Sequence, residues 1–353
     1  MSQRVLMKGN EALAEAAIRA GCRYFFGYPI TPQTELAAYM AKRLPKIDGC
    51  FLQAESEIAA INMVLGASAA GARVMTSSSS PGISLKTEGI SYMVGSDLPA
   101  LIINVQRGGP GLGGIQPSQA DYWQATKAPG HGDLHILVFA PDSVQEMVDT
   151  VANAFALADE YRMPAMILAD GMLGQMMEPV TLPEECGVTL PEKSWATNGH
   201  AGDARNIANS LYIDAVELES LVRARFARYA EIEEKHSQHE AYALEDAEVV
   251  VTAYGASARV AKAAVREARA KGIKAGLLRP ITLWPFPKKA YEDAAKTAKS
   301  FLCVEMSMGQ MVDDVRLAVG GKRPVAFYGR TGGIIPTPAE VLGEIEKQAG
   351  GTE

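Results

Sequence analysis

The sequence predicts an α/β chain: a large parallel, doubly wound sheet at the N-terminus and a smaller parallel α/β unit at the C-terminus. Three observations predict it. Apolar bursts alternate with amphipathic stretches from the start to about residue 170. Prolines and charges then break that rhythm over 171–245, and the alternation resumes from Asp246. The length of 353 residues suits two or three domains, and 48% hydrophobic with 21% charged is ordinary globular composition.

The elements follow in order. Asn10 is placed to cap a helix over 11–20, with Gly21 as its stop. A short strand over 24–26 ends at Gly27, and Pro29 and Pro32 enforce a turn before a helix over 33–43. Strand 50–53 leads to helix 56–70, and strand 73–76 to a serine-rich loop and helix 83–94. Strand 100–105, a glycine-rich segment, strand 134–139, helix 143–161 and strand 164–168 complete the large unit, set at 1–185. Pro179, Pro183 and Pro191 precede a polar helix over about 203–239, so 186–245 reads as a linker that packs on another surface. In the last unit, 246–353, strand 249–253 is followed by Gly255, helix 258–270, strand 274–278, helix 288–298, strand 301–305 and a closing helix after Pro338.

Composition excludes several classes. Lysine and arginine number 34 against 41 acidic residues, a net charge of −7 without a basic block, so nucleic-acid binding is not expected. No run approaches the ~20 apolar residues of a membrane span. The first ten residues lack the apolar core of a signal peptide, which points to the cytoplasm. Cys22, Cys50, Cys186 and Cys303 lie far apart with no Cys-x-x-Cys, which argues against a cluster or structural zinc on this chain. His131 with His135, and His236 with His239, lack a His-Glu-x-x-His context, so no metal site is expected.

Ligands of open α/β sheets bind at the carboxyl ends of the strands. Four unusual loops fall there: Gly27 to Pro32 (Gly-Tyr-Pro-Ile-Thr-Pro), Gln53 to Glu57 with carboxylates at Glu55 and Glu57, Thr76 to Gly82 (Thr-Ser-Ser-Ser-Ser-Pro-Gly), and the glycine-rich run Arg107 to Gly114. Each has a plain explanation. Acidic residues favour a helix start through the dipole alone, Thr31 suits a turn, and Arg107 suits a loop where it holds neighbouring carbonyls. Their convergence on one sheet edge makes the case for a site. No phosphate-binding Gly-x-x-x-x-Gly-Lys-Ser/Thr is present, and no Gly-x-Gly-x-x-Gly follows the first strand.

At these loops the sequence resembles the α subunit of 2-oxoacid:ferredoxin oxidoreductases. The resemblance rests on Gly27-Tyr28-Pro29-Ile30-Thr31-Pro32, the Ser56-Glu57-Ile58-Ala59-Ala60 run with Gly66-Ala67, and Arg107-Gly108-Gly109-Pro110. It continues through Leu278-Arg279-Pro280-Ile281-Thr282-Leu283-Trp284-Pro285-Phe286-Pro287, Glu305 with Gly309-Gln310-Met311, and Gly332 to Pro338. It covers essentially the whole chain. Ser77 to Lys86 (Ser-Ser-Ser-Ser-Pro-Gly-Ile-Ser-Leu-Lys), with Arg107 to Gly113, is most similar to the branched-chain type, which acts on 3-methyl-2-oxobutanoate (2-oxoisovalerate). Ser80 and Leu112 depart from the 2-oxoglutarate pattern.

The resemblance implies a pyrimidine-binding domain for thiamine diphosphate, followed by a transketolase C-terminal-like domain. It implies oxidative decarboxylation of a 2-oxoacid to its acyl-CoA, with CoA as co-substrate and ferredoxin as electron acceptor. A β subunit would hold the diphosphate and Mg²⁺, through a Gly-Asp-Gly…Asn motif not found here. The γ subunit would be a separate chain, and a ferredoxin-like δ subunit would carry the [4Fe-4S] clusters. By position in the motifs, Glu57 would activate the cofactor, with Tyr28, Pro29, Ile30, Ser79 and Ser80 around it. Thr31, Arg107, Gly108 and Gly109 would receive the substrate, Arg107 by pairing with its carboxylate and Thr31 by bonding its oxo or carboxylate group. Three alternatives stand beside this reading: a 2-oxoglutarate or aryl 2-oxoacid enzyme of the same family, a non-catalytic assembly subunit, and a transketolase-like enzyme that needs no ferredoxin.

Overall fold

A computed structural model describes residues 4–184, 190–199 and 205–350. Cys186, the boundary at 185/186 and the predicted start of the polar helix at 203 lie outside the described residues. A seven-stranded sheet runs in the order Thr282–Trp284, Leu137–Phe139, Ala165–Asp170, Leu101–Gln106, Val74–Ser78, Tyr24–Gly27, Cys50–Gln53. Every neighbouring pair is parallel except Thr282–Trp284 with Leu137–Phe139. Strands at the sheet centre are buried on both faces, as their unbroken apolar runs demand. Helix Gly9–Arg19 packs on Val144–Tyr161 and Thr34–Arg43, while Glu57–Ala69 packs on Thr87–Gly95.

The chain leaves Tyr24–Gly27 to form Cys50–Gln53 on one side, then returns to form Val74–Ser78 on the other. That reversal opens a crevice at the carboxyl ends of Tyr24–Gly27 and Val74–Ser78, where doubly wound folds place their ligands.

The second sheet has the order Val325–Gly329, Ser300–Glu305, Val249–Thr252, Ala275–Pro280, His239–Tyr242. It is parallel except for its last strand, which runs antiparallel beside Ala275–Pro280. The strands Val325–Gly329 and His239–Tyr242 are absent from the sequence reading, and three further features depart from it. Thr282–Trp284 leaves the second unit and completes the edge of the first sheet. Arg4–Lys8 and Met177–Thr181 form a separate antiparallel pair. The polar helix begins only at Ala215, capped by Asp214, and ends at His236.

Asn10 is also corrected. It lies inside helix Gly9–Arg19, fully buried, and donates to the Pro32 carbonyl (2.7 Å) and to Glu35 (3.1 Å). Its amide therefore ties the helix to the loop that follows Gly27 instead of closing the helix end.

The units are tied through polar side chains. Gln119 donates from Nε2 to the Tyr254 carbonyl (2.7 Å) and accepts through Oε1 from Ser257 Oγ (2.6 Å) and Met306 N (3.0 Å). Arg279 makes a two-point pair with Glu146 (2.9 and 2.8 Å) and a third bond to Glu240 (2.8 Å). Cys22, Cys50 and Cys303 are free thiols, and no described helix is long and apolar enough to cross a membrane.

Candidate active site

Four loop segments meet at the crevice, each pinned by a buried side chain. The 28–32 loop is held from beneath by Gln33, which is fully buried. Gln33 donates to the Tyr28 carbonyl (3.2 Å) and accepts from Ser77 Oγ (2.6 Å). Gln175 and Asn10 both donate to the Pro32 carbonyl (3.1 and 2.7 Å). Tyr28, Pro29 and Thr31 stay exposed and Ile30 half-buried, so the loop is a fixed rim with its side chains available.

Helix Glu57–Ala69 begins under that rim. Ser56 caps it by accepting from Ala59 N (3.1 Å), which frees Glu57 from the capping role. Glu55 is exposed, whereas Glu57 is 6% exposed. The Glu57 carboxylate accepts no hydrogen bond among the described residues, yet it sits in the first turn, where the helix dipole favours a negative charge. It faces Gly82: a Cβ at that position would lie 2.6 Å from Glu57 Oε1 and 2.1 Å from Ser78 Oγ. Ser78 and Ser79 hydroxyls are buried here without partners. Orphaned buried hydroxyls cost free energy unless a ligand meets them.

Ser80 closes the strand-to-helix turn in a left-handed conformation, φ 26°, that a serine adopts only when its surroundings impose it. The surroundings are on view. Its N–H donates to Asn104 Oδ1 (3.1 Å), its Oγ donates to Asp121 Oδ2 (2.6 Å), and Arg107 N donates to the same Oγ (3.0 Å). Asn104 Nδ2 also donates to Asp121 (2.9 Å). Burial pushes the Asp121 carboxyl above its ordinary range, against the pull of these two donors.

Arg107 is 7% exposed and spans two loops: one Nη donates to the Thr31 carbonyl (2.8 Å) and the other to the Leu112 carbonyl (3.1 Å). Its Nε is buried without a partner. The guanidinium thus holds neighbouring carbonyls, the plain alternative weighed for it, and brings Thr31 to the glycine-rich run. Gly108 is buried and Gly109 exposed. Together with Ser80 and Arg107 they line one wall of a cleft of about 690 Å³, whose other wall includes Met308 and Gln310 of the second unit.

All ten residues singled out in the sequence lie on these loops. Sequence reasoning missed Gln33, Asn104, Asp121 and Lys86, the polar residues beneath the loops. Their signal is only a polar side chain within an otherwise apolar strand or turn.

A thiamine-type cofactor fits the residues present on its pyrimidine side: a buried carboxylate free of protein donors, two orphaned hydroxyls, and a glycine whose missing side chain leaves the approach open. The profile of the pyruvate flavodoxin/ferredoxin oxidoreductase thiamine-diphosphate-binding family matches residues 15–255, and that of pyruvate:ferredoxin oxidoreductase core domain II matches 247–341. The chain is 50% identical to ketoisovalerate oxidoreductase subunit VorB of Methanothermobacter marburgensis, over 98% of both chains. It is 37% identical to 2-oxoglutarate synthase subunit KorA of Methanothermobacter thermautotrophicus, over 98% of this chain and 99% of that one. Among solved structures it is similar to a 2-oxoglutarate:ferredoxin oxidoreductase from Magnetococcus marinus, with a TM-score of 0.90, 29% identity and 99% of this chain covered. This chain spans 66% of the length of that structure. A split-gene transketolase shares the fold at a TM-score of 0.61 and 16% identity, covering 98% of each chain. The chain therefore belongs to the 2-oxoacid:ferredoxin oxidoreductase family, and carries its thiamine-diphosphate-binding domain followed by its core domain II.

Proposed function

We propose that this chain is the α subunit of a cytoplasmic complex that oxidatively decarboxylates branched-chain 2-oxoacids, 3-methyl-2-oxobutanoate foremost, to their acyl-CoA esters. The observation that carries the reading is the Glu57 carboxylate, buried at the switch-point crevice and facing Gly82 with no protein donor among the described residues. When bound, thiamine diphosphate supplies the carbon nucleophile for the 2-oxo carbon and accepts the electrons left as CO₂ departs.

This chain's residues do the rest of the work on the pyrimidine side. Glu57 holds and returns a proton at the aminopyrimidine ring, as a positioned carboxylate can. Tyr28, Pro29 and Ile30 form a rim that would hold the ring, with Ser79 and Ser80 beside it. Arg107 fixes the Thr31 backbone, which leaves the Thr31 hydroxyl to bond the oxo or carboxylate group of the substrate. Each Arg107 Nη retains a second N–H for that carboxylate. Gly108 and Gly109 let the substrate approach the backbone closely.

The reading has the chain inactive alone. A β subunit would hold the diphosphate and Mg²⁺, a γ subunit would be a separate chain, and a δ subunit would pass electrons through [4Fe-4S] clusters to ferredoxin. Within the chain, 1–185, 186–245 and 246–353 would serve as pyrimidine domain, linker and transketolase C-terminal-like domain. A substrate panel on the co-purified complex, with CoA and a viologen dye, tests the proposal. Branched-chain 2-oxoacids should exceed 2-oxoglutarate in kcat/KM. Preference for 2-oxoglutarate overturns the substrate class, and absence of CoA-dependent dye reduction with any 2-oxoacid overturns the reaction.

A further inference from the structure

Lys86 lies at the turn between the helices Pro81–Ser84 and Thr87–Gly95, and its side chain is fully buried. Lysine is almost never buried without a partner. Its Nζ makes one hydrogen bond, to Thr76 Oγ1 at 3.1 Å. Thr76 and Ser78 are two apart on one strand, so their side chains share a face, while Ser77 turns the other way to Gln33. Ser78 Oγ and Glu57 Oε1 converge on Gly82. Lys86 thus stands at the base of the polar column that ends at the Glu57 carboxylate.

Each group lacks what the other supplies. Among the described residues the carboxylate has no protein donor, and the ammonium has one neutral acceptor for three N–H bonds. Thr76 and Ser78 face the pair from the strand as neutral hydroxyls, and the turn at Gly82 offers only backbone. Among the described residues no carboxylate lies within ion-pair distance of the Lys86 ammonium, so the charge of Glu57 reaches it across the column of hydroxyls and not through a contact. Burial pulls Lys86 down to about 8, with Glu57 acting in the opposite direction, so the ammonium persists at neutral pH.

We propose that Lys86 is a positioning residue for Glu57: its buried ammonium, at the base of the column of hydroxyls, holds the carboxylate aimed at the Gly82 opening. The proposal rests on the reading of Glu57 as the carboxylate that faces the cofactor. Through Lys86, the serine-rich turn would set where the Glu57 carboxylate points.

The test compares Lys86→Met, Lys86→Arg, Glu57→Gln and the double variant Lys86→Met/Glu57→Gln in the assembled complex. In the cofactor-free complex, Lys86→Met should melt lower than wild type, and adding Glu57→Gln should restore melting, because both buried charges are then gone. Additive losses, or a double variant that fails to assemble as Lys86→Met does, overturn the proposal. With thiamine diphosphate bound, the acidic limb of the C2-proton exchange profile should move up by a unit or more in Lys86→Met. Lys86→Arg should keep the limb in place. An unmoved limb in Lys86→Met overturns the proposal, since a merely structural lysine would change melting alone. Wild-type exchange in Glu57→Gln would instead overturn the underlying reading of Glu57, whatever Lys86 does.

Discussion

A methyl group at position 82 would fall 2.1 Å from Ser78 Oγ and 2.6 Å from Glu57 Oε1, too close to either, so Gly82→Ala must displace both. The turn itself is helical there, so the fold should tolerate the change while the carboxylate loses its aim. Turnover should drop at least tenfold with little change in melting temperature, checked by dye-reduction kinetics beside thermal unfolding. Arg107→Ala acts differently, because it unclamps Thr31 from Leu112. Each lost bond to a charged donor is worth about 1.5–3 kcal/mol. Both kcat and KM should suffer in steady-state kinetics, and Arg107→Lys should recover little, since a point ammonium cannot span two carbonyls as the planar fork does. Glu57 was legible in the sequence from its motif and its place at a helix start. What the sequence hid was the difference between Glu55 and Glu57, because both suit the dipole and only packing shows which is buried. Lys86 was hidden more deeply: a lysine reads as surface until the fold closes over it.

At the scale of elements, alternation of apolar strands and amphipathic helices made the seven-stranded sheet readable almost strand by strand. The exceptions share a cause. Thr282–Trp284 is three residues long, and its partner Leu137–Phe139 is far away in sequence, so no local period announces the pairing. Arg4–Lys8 and Met177–Thr181 are mostly exposed or half-buried and carry too little apolar signal. Asp170 shows how the elements are joined. Its Oδ1 caps helix Gly171–Gln175 through Met172 N and Leu173 N, and its Oδ2 accepts from Ala256 N of the second unit. Burial raises its pKa to about 6 despite those donors. Because the folded-state value lies above the unfolded one, the contribution is fully present below about pH 4 and is lost as pH rises through about 6. The difference in unfolding free energy between wild type and Asp170→Asn should therefore shift against wild type by up to about 3 kcal/mol across that window. Denaturant melts of both proteins at several pH values check the sign.

For the molecule as a whole, the second unit does more than follow the first. It lends a strand to the first sheet and closes the cleft with Met308 and Gln310, and Gln119 and Arg279 fix its placement. The cleft is thus built by both units, as the motifs that carry the resemblance are spread over both. The chain presents a buried carboxylate, orphaned hydroxyls and an arginine clamp, which on the proposed reading would serve the pyrimidine side of a thiamine site. The central claim, that Glu57 activates the cofactor, is tested most directly by C2-proton exchange of thiamine diphosphate in the assembled complex, followed by NMR after acid quench. Glu57→Gln should leave assembly and cofactor binding intact while exchange falls by about 10²–10⁴, the span of a positioned acid–base group. Exchange at the wild-type rate in that variant would contradict the account and leave Glu57 a first-turn carboxylate that serves the helix alone.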